Sequence, residues 1–405
     1  MKLLHNIRTL ATCRADLAPQ DAGLIPQAGL VWEQDRIHWV GPLEELPSAY
    51  HHAERIDAQG ALVLPGLVDC HTHLAFGGWR ADEFGLRCQG ADYQEIAARG
   101  GGIASTMRKT RAATEEELFQ RCVAFLREMT TLGVTTVECK SGYGLTVEDE
   151  LKLLRVYRRL QETQPQRIAA TCLGAHIIPP EYRQDRAGYV RLLCEELLPR
   201  VAADKLAAFC DVFVEDGAFT RDEARQILER GKQLAMRSKL HVDQLSDGGG
   251  GKLAAEVGAI SADHLEYTNA AGIQAMAQAG VIAVTLPLAS LYLGKPPLDA
   301  RRFLAAGVAV AVATDFNPGS APSYHLPLAM TLACTMNRMT PTQAVRGATI
   351  VAARALGLEA EVGSLEPGKR ADFLVLRTES IDHWLYHFVP NAVQAVYIQG
   401  HSWEA

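Results

Sequence analysis

Between residues 60 and 320 one pattern recurs about eight times: a short apolar run of strand length, then a longer helix-like segment. The runs are 62–69, 134–140, 168–176, 208–215, 239–242, 259–264, 281–286 and 308–315. Helix candidates between them include 114–131, 147–161, 221–234 and 270–279. Strand and helix in alternation is the sequence form of βα units around a parallel sheet. Eight such units predict a (β/α)8 TIM-like barrel, which takes about 250 residues. Thr114 with Glu117 three residues on is a capping-box pattern that starts a helix.

The two ends read differently. Residues 1–60 hold short strand-like segments broken by turns, and residues 37–41 alternate as a strand does. Residues 355–405 look alike, with VGSLEPGK, ADFLVLRT and AVQAVYIQG. These ends predict one small β-sandwich domain from 1–60 and 355–405, with 61–354 as the barrel. The fold class is therefore α/β. The length of 405 residues suits one large and one small domain. Hydrophobic residues at 48% and charged residues at 21% exclude a disordered chain, a collagen and a coiled coil.

Forty basic against 47 acidic side chains give a formal net charge of −7. With no basic run, nucleic acid is disfavoured as a partner. The nine cysteines are odd in number and none has CxxC spacing. They read as reduced, buried thiols of a cytoplasmic protein. The N-terminal residues MKLLHNIRTLATC have no sustained apolar stretch, so no signal peptide is expected. The longest apolar stretch, 279–294, is broken by Thr285, Pro287 and Ser290, so no membrane span is expected.

Active sites of such barrels sit at the C-terminal ends of the strands. The first run ends Asp69-Cys70-His71-Thr72-His73. Others end in Lys140, His176, Glu215 and Asp216, His241, Asp263 and His264, and Thr314 and Asp315. On an extended segment positions i and i+2 point the same way, so His71 and His73 can reach one ion. A bare HxH is weak, and a single histidine at a strand end is more often a hydrogen-bonded polar residue than a ligand. Here further donors follow at later strand ends. His71, His73, His241 and Asp315 form the expected metal site. Imidazole and carboxylate suit zinc or ferrous iron and leave a place for water. Such an ion lowers the pKa of its water to about 7. His5, His38, His51, His52, His325, His383, His387 and His401 lie outside this pattern and receive no role.

The segments GALVLPGLVDCHTHLAF, KLHVDQ, SADHLEY and ATDFNPGS resemble the amidohydrolase superfamily. Within it, GGWRADEF at 77–84, ECKSGYGL at 138–145, LGAHIIPPEY at 173–182 and TDFNPGS at 314–320 resemble the imidazolonepropionase family. The resemblance covers almost the whole chain. It implies hydrolytic opening of 4-imidazolone-5-propanoate to N-formimino-L-glutamate, with one Zn2+ or Fe ion per chain. Asp315 would take a proton from the metal's water and pass it to the leaving ring nitrogen. His264 would hydrogen-bond the developing oxyanion. Arg80 would pair with the substrate carboxylate. Its bland alternative is a salt bridge to Asp82 or Glu83. Tyr93, Tyr143 and His176 match positions that contact substrate in the family. For Tyr143 the bland alternative is a side chain packed on the rim. Asn317 and the loop with Gly319 and Ser320 would approach the substrate by backbone. A homodimer is common in the superfamily.

Gln244 separates two neighbouring readings. Ring deaminases of the superfamily resemble H-x-x-E after the fifth run, and an amide cannot shuttle protons as that Glu does. This weakens a heterocycle deaminase and leaves Gln244 a hydrogen-bonding role toward substrate. A binuclear hydrolase would need a bridging group such as Lys140 or Glu215, neither well placed for it. A scaffold that has lost its metal is a third reading, opposed by the intact HxH, His241 and Asp315. Two glycine-rich loops are poor phosphate sites. Gly248–Lys252 is followed by Leu253, which fails the P-loop pattern. Gly100-Gly101-Gly102 is expected to be a flexible loop beside the substrate.

Overall fold

The computed structural model describes residues 1–90 and 101–403. The N-terminal part forms β1 (Lys2–Ala11), β2 (Leu24–Glu33), β3 (Arg36–Pro42), β4 (Glu54–Asp57) and β5 (Leu62–Pro65). Then come β6 (Leu67–Asp69), β7 (Val134–Lys140), β8 (Arg167–Ala175), β9 (Phe209–Val214), β10 (Arg237–Val242), β11 (Ser261–His264), β12 (Ile282–Thr285) and β13 (Val310–Val312). The C-terminal part adds β14 (Phe373–Leu376), β15 (Val393–Ile398) and β16 (His401–Trp403).

Strands β6 to β13 are neighbours in chain order and all parallel. The barrel closes just past the strand ends. Asp315 N donates to His71 O at 3.0 Å and His73 N to Phe316 O at 2.9 Å. Below them Asp69 accepts from Thr314 N at 3.1 Å and from Thr314 Oγ1 at 2.6 Å. The closure thus sets the HxH against the segment that bears Asp315.

Helices cover the outside at the expected places, including Glu115–Thr131, Val147–Thr163, Arg221–Gln233 and Ala270–Ala279. Thr114 and Glu117 form the reciprocal capping box. Leu118, Cys122, Leu126 and Met129 recur at helical spacing and are all buried, the stripe that docks this helix on the barrel.

The other sheet has the order β16-β15-β14-β5-β1-β2-β3, with β4 also paired to β1. It curls until its halves face. Trp32 on β2 meets Phe373 on β14 at 5.1 Å and Tyr397 on β15 at 5.6 Å between ring centroids. The indole N–H donates to Gly400 O at 3.0 Å.

The apolar run at 62–69 divides between the two sheets. Its first half pairs with β1 and β14, and its second half with β7. Gly66 is the break. A Cβ there would lie 2.2 Å from Thr135 Oγ1, closer than any side chain can tolerate. Apolar content cannot reveal this split, because both halves are fully buried. The cysteines also differ from expectation in part. Seven are buried, but Cys334 is partly open and Cys88 is exposed at the end of helix Ala81–Cys88. That helix lies on the rim with one face to solvent. Among the described residues no helix is long and apolar enough to cross a membrane.

Candidate active site

A cavity of about 750 Å³ opens at the C-terminal ends of the barrel strands. His73, His241, His264 and Asp315 lie in its floor, and Arg80, Tyr143, His176, Gln244, Asn317, Gly319 and Ser320 line it. Buried beneath, His71 completes the floor. Ligating atoms gather there in two triplets that share His71. One is His71, His73 and Asp315, the other His71, His241 and His264, with all atoms of a triplet within 4.8 Å of one another.

The donor set fits a metal ion. His71 Nδ1 is held by Asp263 Oδ2 at 2.7 Å and His241 Nδ1 by Asp211 Oδ1 at 3.1 Å. A carboxylate on Nδ1 fixes the tautomer that leaves Nε2 as a lone-pair donor. Nε2 of both rings is buried with no hydrogen-bond partner, an arrangement that costs free energy unless something else binds it. Asp315 Oδ1 is 3.4 Å from Nε2 of both His71 and His73, and Ser320 Oγ lies 3.4 Å from its Oδ2. Burial disfavours charge on Asp315, but the two imidazoles win and hold its pKa well below the usual value. Burial and His73 push His176 down to about 3, so its ring is neutral. Its Nδ1 sits 3.0 Å from Gly142 O and donates there, which leaves Nε2 as an acceptor.

His264 and Asp315 hold positive φ of 78° and 56°. Non-glycine residues there carry strain of order 1 kcal/mol or more, and such strain gathers at functional sites. His264 Nδ1, like Nε2 of His71 and His241, is buried without a hydrogen-bond partner.

A scan for known families matches residues 62–402 to the amidohydrolase family. The imidazolonepropionase of Symbiobacterium thermophilum is 49% identical over 94% of this chain and 91% of its own length. That of Aeromonas hydrophila is 49% identical over 91% and 89%. The chain belongs to the imidazolonepropionase family of amidohydrolases. The amidohydrolase family is metal-dependent, in keeping with the histidine-rich floor. Solved structures of 5-methylcytosine deaminase from Klebsiella pneumoniae and of guanine deaminase from E. coli share the fold. Their TM-scores are 0.74 and 0.73 at 18% and 16% identity. The first match covers 99% of this chain and 96% of that one, the second 100% and 99%. At that identity the likeness carries the fold alone.

Within this imidazolonepropionase-family chain nearly all the expected residues meet in one cavity. Tyr93 lies outside the described residues. Arg80 does pair with Glu83, at 2.8 Å from Nε and 2.7 Å from Nη2, yet both side chains are largely buried and Arg80 faces the cavity. Its Nη1 lies where a Cβ on residue 319 would fall, only 2.2 Å away. Glycine at 319 is therefore a condition for the arginine's position. The Asn317 side chain is used inside its own loop. Its Oδ1 accepts from Gly319 N and Ser320 N at 2.8 Å each, and Nδ2 donates to Asp315 O at 2.6 Å.

Neither Lys140 nor Glu215 belongs to either triplet. Glu215 accepts from Leu245 N at 2.8 Å and from Ser246 Oγ. Lys140 belongs to a buried layer that the sequence reading missed, made with Glu138, Asp211, Lys239 and Asp263. A signal for it existed. Glu138 and Lys140 on β7, and Lys239 and His241 on β10, are i, i+2 pairs, so the members of each pair share one face of the sheet. The four-glycine loop is also explained. Asp243 accepts from Gly248 N at 3.0 Å, Gly250 N at 2.8 Å and Gly251 N at 3.1 Å. Those amides are spent within the chain. In the other loop, Gly102 N donates to Glu83 Oε1 at 2.8 Å.

Proposed function

We propose that this chain hydrolyses 4-imidazolone-5-propanoate to N-formimino-L-glutamate, the ring-opening step of histidine degradation. Water adds to the ring carbonyl carbon, and the bond from that carbon to the ring nitrogen breaks. The carbon becomes a carboxylate, and the released nitrogen ends as the NH of the formimino group that stays on the other ring nitrogen. Membership of the imidazolonepropionase family supports the substrate. The observation that carries the chemistry is the convergence of His71, His73, His241 and Asp315 in the floor of a cavity whose wall presents Arg80.

His71, His73, His241 and Asp315 would hold one Zn2+ or Fe ion. When bound, that ion supplies a water acidic enough to act as nucleophile near neutral pH. Asp315 divides its work between two oxygens. Oδ1 lies between the histidines, and Oδ2 faces Ser320 and carries the proton from water to the leaving nitrogen. His264 donates a hydrogen bond to the oxygen that gains charge as the ring opens. Arg80 binds the propionate through a charge-assisted hydrogen bond. Tyr143, His176 and Gln244 line the substrate's place, as does Tyr93 in this reading. The 317–320 loop approaches by its backbone. The enzyme would work in the cytoplasm, as a homodimer, on a small-molecule carboxylate and without nucleic acid or membrane. Its units would be a terminal β domain, 1–60 with 355–405, and a barrel, 61–354; strand β5 pairs within the terminal sheet.

The test is a turnover assay on zinc-loaded protein with fresh imidazolonepropionate, following ring absorbance and formiminoglutamate together. Matched loss and gain, abolished by a chelator, is the expected result. Metal-replete protein that leaves the ring intact would overturn the substrate assignment, and release of ammonia would point to a deaminase.

A further inference from the structure

Two of the proposed ligand histidines are oriented by carboxylates, and one ammonium joins those carboxylates. Lys140 Nζ lies 2.8 Å from Asp211 Oδ2 and 3.4 Å from Asp263 Oδ2. Asp211 uses its other oxygen on His241 Nδ1, while Asp263 uses the same oxygen on His71 Nδ1. The third partner of Lys140 is Glu138 Oε1 at 2.9 Å, which also accepts from Thr171 Oγ1. All these groups are fully buried. Among the described residues neither aspartate has another lysine or arginine within ion-pair distance.

We infer that Lys140 is a positioning residue for the metal centre: by tethering Asp211 and Asp263 together it sets the rings of His241 and His71, and so the affinity and geometry of the ion they hold. This rests on the reading that those two histidines are ligands. Two like-charged carboxylates in a dry interior repel each other, and each would turn away from its imidazole without a shared counter-ion. Lys140 removes that repulsion at the one point both can reach. Positioning groups behind ligands typically govern metal affinity by 10- to 100-fold.

Lys239 provides a matched comparison. It is equally buried, pairs with Glu138 Oε2 at 2.9 Å, and makes no hydrogen bond or ion pair to Asp211 or Asp263. It acts on Asp263 only at longer range. Lys140→Met and Lys239→Met therefore delete the same charge from the same layer with different geometric consequences.

The measurements are the Zn2+ dissociation constant by chelator competition and the visible spectrum of the Co2+-loaded chain. Lys140→Met is expected to weaken Zn2+ by roughly 10- to 100-fold and to change the Co2+ band envelope. Lys239→Met is expected to stay within about threefold of the parent, with an unchanged spectrum. Equal losses in both variants, or parental affinity and spectrum in Lys140→Met, would overturn the inference. If the methionine variants lack a cooperative thermal transition, Lys140→Arg and Lys239→Arg carry the same comparison. The longer guanidinium keeps the charge but must displace the aspartates. His71→Ala and His241→Ala separate the two levels. If they keep parental affinity, the ligand reading fails; if they lose it while Lys140→Met does not, only the role of Lys140 fails.

Discussion

Glu83 Oε2 accepts both Nε and Nη2 of Arg80, and its Oε1 takes the amide of Gly102. The arginine's fork is thus held edge-on from behind, and Nη1 is left for a ligand. Arg80→Ala is expected to raise KM by roughly 10- to 100-fold, the worth of one charged hydrogen bond, with kcat nearly unchanged. That split follows because the carboxylate is remote from the bond that breaks. Steady-state kinetics decide it, and an unchanged KM would move the carboxylate site elsewhere.

Asp315→Asn should cost several orders of magnitude in kcat, because it removes both a ligand oxygen and the proton carrier. The measurement needs metal content beside the rate. Near-normal turnover at full occupancy would refute both roles.

Prolonged dialysis against a chelator should abolish turnover, and Zn2+ or Fe2+ should restore it. The melting temperature should fall as well. An ion present at a thousandfold its Kd stabilises the native state by about 4 kcal/mol. A chelated chain with the parental melting curve and rate would remove the metal from the account.

Asp243→Ala is expected to destabilise the fold by about 3 kcal/mol. Three glycine amides and the Thr268 hydroxyl, at 2.7 Å, lose their acceptor at once. Chemical denaturation measures the loss. A change under about 0.5 kcal/mol would mean that water replaces the carboxylate freely.

His325 caps helix Leu326–Thr335 by accepting Leu328 N–H on Nδ1 at 3.0 Å. Burial lowers its pKa. The unfolded chain, with a value of about 6.5, therefore takes the proton first as pH falls. The cap contributes in full above that pH and is lost as pH drops below it. His325→Asn, which caps without titrating, should flatten the fall in stability as pH drops below about 6.5. An equally steep profile in the variant would assign the slope to other groups.

The strand ends were legible because the candidate metal-binding side chains interrupt apolar runs where those runs leave the barrel. His71, His73, His241 and Asp315 all break the pattern in that way. Arg80 was harder, since its neighbours Asp82 and Glu83 suit an exposed helix as well as a buried clamp. The layer under the metal floor was hardest. Lys140 and Lys239 sit in strands that mix polar and apolar residues, and only the barrel's closure shows that five charges from four strands meet. The closed barrel also decides which oxygen of Asp211 serves the lysine and which the histidine, a matter no spacing rule contains.

Gly66 is the entire distance between the last residue of β5 and the first of β6. Its N–H donates to Asp372 O at 2.9 Å, and the next residue but one, Val68, donates to Ala348 O at 2.8 Å. There is no slack on either side of it. Opening one sheet must therefore drag the other, and the two should melt as a single cooperative unit. A scissile loop engineered at this glycine would not release two halves; it would cut the axle on which both turn.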